Sequence, residues 1–125
     1  SISSYSMGSI DPGLVVVSGR LQQGKELAES ERVVDEILES IVSNGVSEEE
    51  LEKVKNQAGS TLEFGEVEVM NRAMNLAFAT LSGDPNFVNE EADRIAAVTR
   101  QDIQRVAKDI LKSENSNVLY YEAVN

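Results

Sequence analysis

The apolar side chains of this chain of 125 residues change their spacing once, near Gly24, and that change sets the order of its elements. Before it, Tyr5-Ser6-Met7-Gly8-Ser9 alternates larger and smaller side chains, as a strand with one wet face does. Leu14-Val15-Val16-Val17 is an unbroken apolar run, the pattern of a central strand buried on both faces. Between them, Asp11-Pro12-Gly13 is turn chemistry, in which proline fixes φ and glycine enters conformations closed to other residues. The two strands are expected to pair as a hairpin.

After Gly24 the spacing is helical. Leu27, Val34, Leu38 and Ile41 recur on one face, widened by Ile37 and Val42, while Lys25, Glu31, Glu36 and Glu39 are placed to meet water. Asn44-Gly45 predicts the stop, with Gly45 in a left-handed conformation. Ser47-Glu48-Glu49-Glu50 is a capping box between the apolar staple positions Val46 and Leu51. Three early carboxylates there favour the positive helix end. This helix runs through Leu51, Val54, Ala58 and Leu62. Gly59 and Gly65 each cost a helix interior about 1 kcal/mol, which predicts a bend or break near Phe64-Gly65. The stripe resumes at Met70, Ala73, Met74, Ala77 and Leu81 and stops at Ser82-Gly83-Asp84-Pro85. A short helix is expected from Glu90 to Ala97. Thr99-Arg100-Gln101-Asp102 is an aspartate capping box opening a last helix, striped by Ile103, Val106, Ala107, Ile110 and Leu111. Val118-Leu119-Tyr120-Tyr121 is read as a closing strand beside Val15–Val17. The expectation is an α+β fold, β-β-α-α-α-α-β, with an antiparallel or mixed sheet and its helices packed on one face.

Composition narrows the function more than it narrows the fold. The sequence has no histidine, which removes histidine general bases, Ser-His-Asp arrangements and histidine-containing zinc sites. It has no cysteine either, so disulfides and thiolate metal sites are excluded while the redox compartment stays open. A net charge of −11 repels phosphate backbones and argues against nucleic-acid binding. No apolar run approaches the roughly 20 residues that span a bilayer, and residues 1–10 lack the basic head and apolar stretch of a signal peptide. The opening at Ser1, without methionine, reads as an excised or processed piece of something longer.

Each candidate site has an ordinary explanation beside it. Glu48, Glu49, Glu50 and Glu52 suit capping and solvation, and no calcium-loop pattern contains them. Glu63, Glu66 and Glu68 straddle the expected break, where an ion or a partner would fit, although a solvated face explains them as well. Gly8, Gly13, Gly19 and Gly24 form no phosphate-cradling motif. Met70, Met74 and Phe78 share a helical face and read as core. Tyr120 and Tyr121 point to opposite faces of their expected strand, one toward the core. Arg72 is expected to hold Glu68 or Glu91. No catalytic, cofactor-binding or metal-binding residue is assigned.

Three stretches together resemble the zinc metallopeptidases of the pitrilysin–insulinase family, peptidase family M16, which includes the mitochondrial processing peptidases. They are Asp11-Pro12-Gly13-Leu14-Val15-Val16-Val17-Ser18-Gly19, then Val46-Ser47-Glu48-Glu49-Glu50-Leu51-Glu52-Lys53-Val54-Lys55-Asn56-Gln57. The third joins Asn71-Arg72-Ala73-Met74 and Gly83-Asp84-Pro85 to the run from Ile95 to Ala107. The resemblance implies the LuxS/MPP-like metallohydrolase fold. It also implies that residues 1–125 are a single module, the latter half of a non-catalytic C-terminal domain. In that family an H-x-x-E-H helix and a more distal glutamate of an N-terminal domain hold zinc, which polarises a peptide carbonyl and activates water. This sequence has no such motif. Zinc is therefore expected in the parent's N-terminal domain or a partner subunit, and none in this chain. The resemblance implies that an arginine and a tyrosine that contact substrate in some members lie before Ser1 or close to it; neither is assigned to a residue here, and the spacing of Tyr5 does not support a match.

The function implied is a non-catalytic, structural and substrate-enclosing portion of a zinc-dependent endopeptidase acting on peptides or unfolded segments. The alternative is an inactive partner or core-type subunit used for assembly. Expected partners are the remaining domains or a homologous subunit, the parent's peptide substrate and, for the isolated chain, a second copy. Bacterial cytoplasm and periplasm both stay open.

Overall fold

The computed structural model describes residues 1–8 and 11–122. Strands β1 (Ile2–Met7) and β2 (Leu14–Gly19) form an antiparallel hairpin with Ile2 opposite Gly19 and Met7 opposite Leu14. Helices α1 (Leu27–Asn44), α2 (Glu48–Gly65), α3 (Val69–Leu81), α4 (Phe87–Ala97) and α5 (Arg100–Ile110) follow, and Ser113–Asn115 adds one 3-10 turn. The α+β class and the antiparallel sheet agree with the sequence reading. Ser9, counted there with the first strand's alternation, lies outside the described residues.

Both capping boxes expected from the sequence are present. Ser47 Oγ accepts the Glu50 amide at 3.2 Å, and the Ser47 amide donates to Glu50 Oε2 at 2.8 Å. Thr99 and Asp102 repeat the arrangement at 3.2 and 3.0 Å. The Ser47 backbone amide and then its hydroxyl hold the Glu50 carboxyl below its usual range; for Asp102 the Thr99 hydroxyl acts first and its amide second. A carboxylate with a lowered folded pKa stabilises the fold above its unfolded pKa, and that contribution is lost as pH falls through the folded value. Ser47→Ala should accordingly cost about 1 kcal/mol at neutral pH. The difference from wild type should shrink once acid protonates Glu50, as denaturant titrations at both pH values would show.

Gly45 ends α1 with φ 72°, and its amide donates to the Ile41 carbonyl. Its ψ of −161° lies in the extended mirror region rather than the left-handed helical one expected. Gly65 closes α2 and α3 starts at Val69, so the predicted break is real. That break makes five helices where the sequence order had four. The short helix begins at Phe87, ahead of the expected Glu90.

Helix α1 lies against α5, and α4 lies against both α2 and α3. Gln104 Nε2 of α5 donates to the carbonyls of Val42 and Ser43 at 3.1 and 3.0 Å, satisfying two acceptors that the end of α1 leaves open. Arg100 Nε reaches the Val46 carbonyl at 2.6 Å, and Lys55 Nζ reaches that of Ala96 at 2.7 Å. These long-range bonds tie the α4–α5 corner to the α1–α2 corner. Among the described residues, Leu51, Ala79 and Ala107 are the buried apolar ones.

The expected helix-covered sheet is corrected by the structure. Among the described residues the sheet has only two strands, and no helix packs extensively on it. Leu14, Val15 and Val17 are exposed and Val16 is half-buried, so β2 is not a central strand. Val118–Tyr121 forms no strand and does not neighbour Val15–Val17. Tyr120 instead donates its hydroxyl to Glu31 of α1, which the helical wheel had assigned to water and which is half-buried. Ile37, expected to widen the α1 stripe, is 56% exposed.

Candidate functional site

Two shallow clefts lie between helices. The first, between α2 and the α4–α5 corner, is lined by Glu48, Leu51, Lys55 and residues 96–101. Lys55, its cationic group, is committed to the Ala96 carbonyl, so the cleft braces two helices.

The second cleft, of about 330 Å³, sits where α3 meets α4 and is lined by Glu66, Val69, Arg72, Ala73, Leu76, Val88 and Asn89. Arg72 Nε is 3.3 Å from Glu66 Oε2, and Asn75 Nδ2 donates to Glu66 Oε1 at 3.2 Å. The expected partners Glu68 and Glu91 are thus replaced by Glu66. The physical reason is the break after Gly65, which turns the chain so that Glu66 falls beside the first turn of α3. Of the group Glu63, Glu66 and Glu68, only Glu66 enters this network. Both sides of the Arg72–Glu66 pair are largely exposed, so the pair positions the turn more than it stabilises the fold.

The remaining sequence candidates are dispersed. Glu48, Glu49, Glu50 and Glu52 lie on the first turns of α2 and are exposed, as capping and solvation require. Met70, Met74 and Phe78 share a face of α3, but that face is exposed rather than core. Tyr121 is 88% exposed and Tyr120 47%, so neither is the core tyrosine expected. Glu31 holds the Tyr120 phenol above its usual pKa by accepting its proton in a hydrogen bond. No local signal announces that pair, because 89 residues separate its members.

The chemistry available is correspondingly limited. Among the described residues no group of three His, Cys, Asp or Glu side chains is placed to hold a metal ion. The sequence supplies neither histidine nor cysteine, so these residues do not fit a zinc site. Neither cleft pairs a nucleophile with a base. Both can hold helices in place, and the exposed apolar surfaces can hold other polypeptide.

Residues 1–58, just under half the chain, match the family model described as the peptidase M16 inactive domain. The match covers the hairpin, α1 and the start of α2, and it coincides with two of the three stretches that carry the resemblance. No curated protein matches. Among solved structures, a Bordetella pertussis Tohama I protein assigned as a zinc protease superposes with a TM-score of 0.81 at 26% identity. The alignment covers 91% of this chain and 63% of that one. The inactive peptidase domain of a Bordetella parapertussis protein with the same assignment gives a TM-score of 0.85 at 24% identity, covering 99% of this chain and 68% of that one. The second likeness speaks for the fold alone. The chain has the fold of these two structures and spans 63% of the length of the first.

Proposed function

We propose that the chain is the latter part of a non-catalytic M16-type C-terminal domain. In this reading it forms a structural, substrate-enclosing wall of a zinc-dependent endopeptidase that acts on peptides or unfolded segments. The match of residues 1–58 to the inactive domain carries the proposal. The missing zinc ligands and the fold likeness to the two Bordetella structures support it. Zinc belongs to another domain of the same polypeptide or to a homologous subunit, and this chain's contribution is shape: helices braced end to end beside a sheet-forming hairpin.

The test begins with the chain by itself. After dialysis against a chelator and readdition of zinc, the purified chain should retain no stoichiometric metal and hydrolyse no unstructured peptide. Tight zinc together with chelator-sensitive hydrolysis that follows mutations of this chain would overturn the reading. A complete assembly that also lacked zinc would turn the assignment to an assembly subunit.

The isolated chain should also dimerise by covering part of its exposed apolar surface. Its net charge of −11 opposes the contact, so affinity should rise with moderate salt. Sedimentation equilibrium across concentration and salt checks this, and a strictly monomeric mass at high concentration would refute it.

A further inference from the structure

Nine asparagines are spread along the chain, and of these only Asn44 precedes a glycine. In such a pair the main-chain nitrogen of the glycine can attack the side-chain amide carbon of the asparagine. The new N–C bond closes a five-membered succinimide ring, and ammonia leaves with the proton of the attacking amide. Water then opens the ring at one carbonyl or the other. One product is aspartate; the other is isoaspartate, in which the main chain runs through the former side-chain carbon. An amide and water become an acid and ammonia, with no other reactant.

The fold places this pair where the reaction is open. Gly45 ends α1 at φ 72° and ψ −161°, a conformation that residues with a Cβ rarely adopt, so the position calls for glycine. Glycine is also the residue that least hinders the approach of its own nitrogen to the preceding side chain. Asn44 is the last residue of α1 and is exposed, and its Nδ2 donates to the Ser40 hydroxyl at 3.3 Å. The Gly45 amide donates to the Ile41 carbonyl at 2.9 Å, which holds the attacking nitrogen back. Helix ends fray, so this bond slows the attack without closing the route.

The pair also sits between two grips of α5. On one side Gln104 Nε2 holds the Val42 and Ser43 carbonyls; on the other Arg100 Nε holds the Val46 carbonyl. Arg100 and Gln104 lie one turn apart on the same face of α5, so the helix fixes the spacing of the grips. Aspartate leaves the main chain its ordinary length. Isoaspartate adds a main-chain carbon between residues 44 and 45, inside the bracketed span, and the two grips no longer fit together.

We infer that Asn44-Gly45 is a site of spontaneous isoaspartate formation, and that the product releases α5 from the end of α1. The reactants are the chain's own amide and water. Nothing in the inference depends on a role in peptide hydrolysis.

Peptide mapping by mass spectrometry of the full chain, incubated folded at neutral pH, tests it. The peptide with Asn44 should gain the mass difference between amide and acid before any peptide with another asparagine, and isoaspartate should exceed aspartate. Denaturant should speed the conversion about 10-fold by opening the last turn of α1. Asn44→Gln keeps the amide but requires a larger ring, and should stay unconverted. In the converted chain the side-chain amide protons of Gln104 should exchange with solvent at the rate of an exposed glutamine, as they do not before conversion. Freshly prepared Asn44→Asp adds the charge without the extra carbon and should leave Gln104 protected. An Asn44 amide still intact when the denatured chain has fully converted would overturn the inference, as would another asparagine reacting first. Isoaspartate that leaves Gln104 protected would overturn it too, and so would loss of that protection in fresh Asn44→Asp, which would assign the release to charge.

Discussion

Gly13→Ala is expected to abolish the β1–β2 pairing. A Cβ at Gly13 would stand 1.9 Å from the Met7 carbonyl oxygen and 3.1 Å from its carbon. The obstacle is backbone, so no side chain can rotate away; one strand end must move, and the Met7–Leu14 register is the first thing lost. An added Cβ that overlaps fixed backbone costs more than about 1 kcal/mol to relieve, and an isolated two-stranded hairpin has little stability to lose. Cross-strand nuclear Overhauser contacts between Tyr5 and Val16 should vanish, and amide exchange across both strands should approach that of an unfolded chain. Gly8→Ala is the control, because nothing lies within 4 Å of the added atom. Persistent Tyr5–Val16 contacts in Gly13→Ala would show that the turn closes in another way.

Leu51→Ala should produce the largest loss of global stability. Leu51 is 6% exposed and, among the described residues, the only large apolar side chain that is buried; Ala79 and Ala107 have no methylenes to give up. It sits in the first turn of α2, directly after the capping box, facing the cleft formed with Ala96–Gln101. Deleting its methyl groups removes transfer energy and leaves a cavity, together costing about 2–5 kcal/mol. For a chain of this size that lowers the melting temperature on the order of 10 °C. Val54→Ala is the informative comparison, since sequence spacing puts Val54 on the same stripe but the structure leaves it 60% exposed. It should change the isolated chain by less than about 0.5 kcal/mol. Equal losses at the two positions would mean that the stripe read from the sequence, and not the observed packing, describes the core.

These comparisons show where the sequence was legible. Ser47–Glu50 and Thr99–Asp102 were readable because a capping box is complete within four residues and needs nothing from the rest of the chain. The stop at Asn44-Gly45 and the break at Gly65 were readable for the same reason, whereas Gly13, expected in a left-handed position, has no positive φ. The contacts that decide burial are not local. Leu14–Val17 announces a strand that needs cover, but its composition cannot say whether that cover lies in the same 125 residues. Val118–Tyr121 has strand composition but pairs with neither strand of the hairpin. Arg72 was expected to hold Glu68 or Glu91, and with the break after Gly65 it pairs with Glu66 instead. Of the candidate site, the legible part was negative chemistry: lacking histidine and cysteine, the chain offers no histidine- or thiolate-ligated zinc site.

The measurement closest to the central claim is an omission experiment on the complete assembly, prepared with and without residues 1–125 and examined for bound zinc and for hydrolysis of an unstructured peptide. A substrate-enclosing wall that holds no metal predicts zinc retained in both preparations and hydrolysis lost in the one lacking the chain, with restoration when the chain is added back. Zinc that departs with the chain, or hydrolysis that continues unchanged without it, would contradict the account.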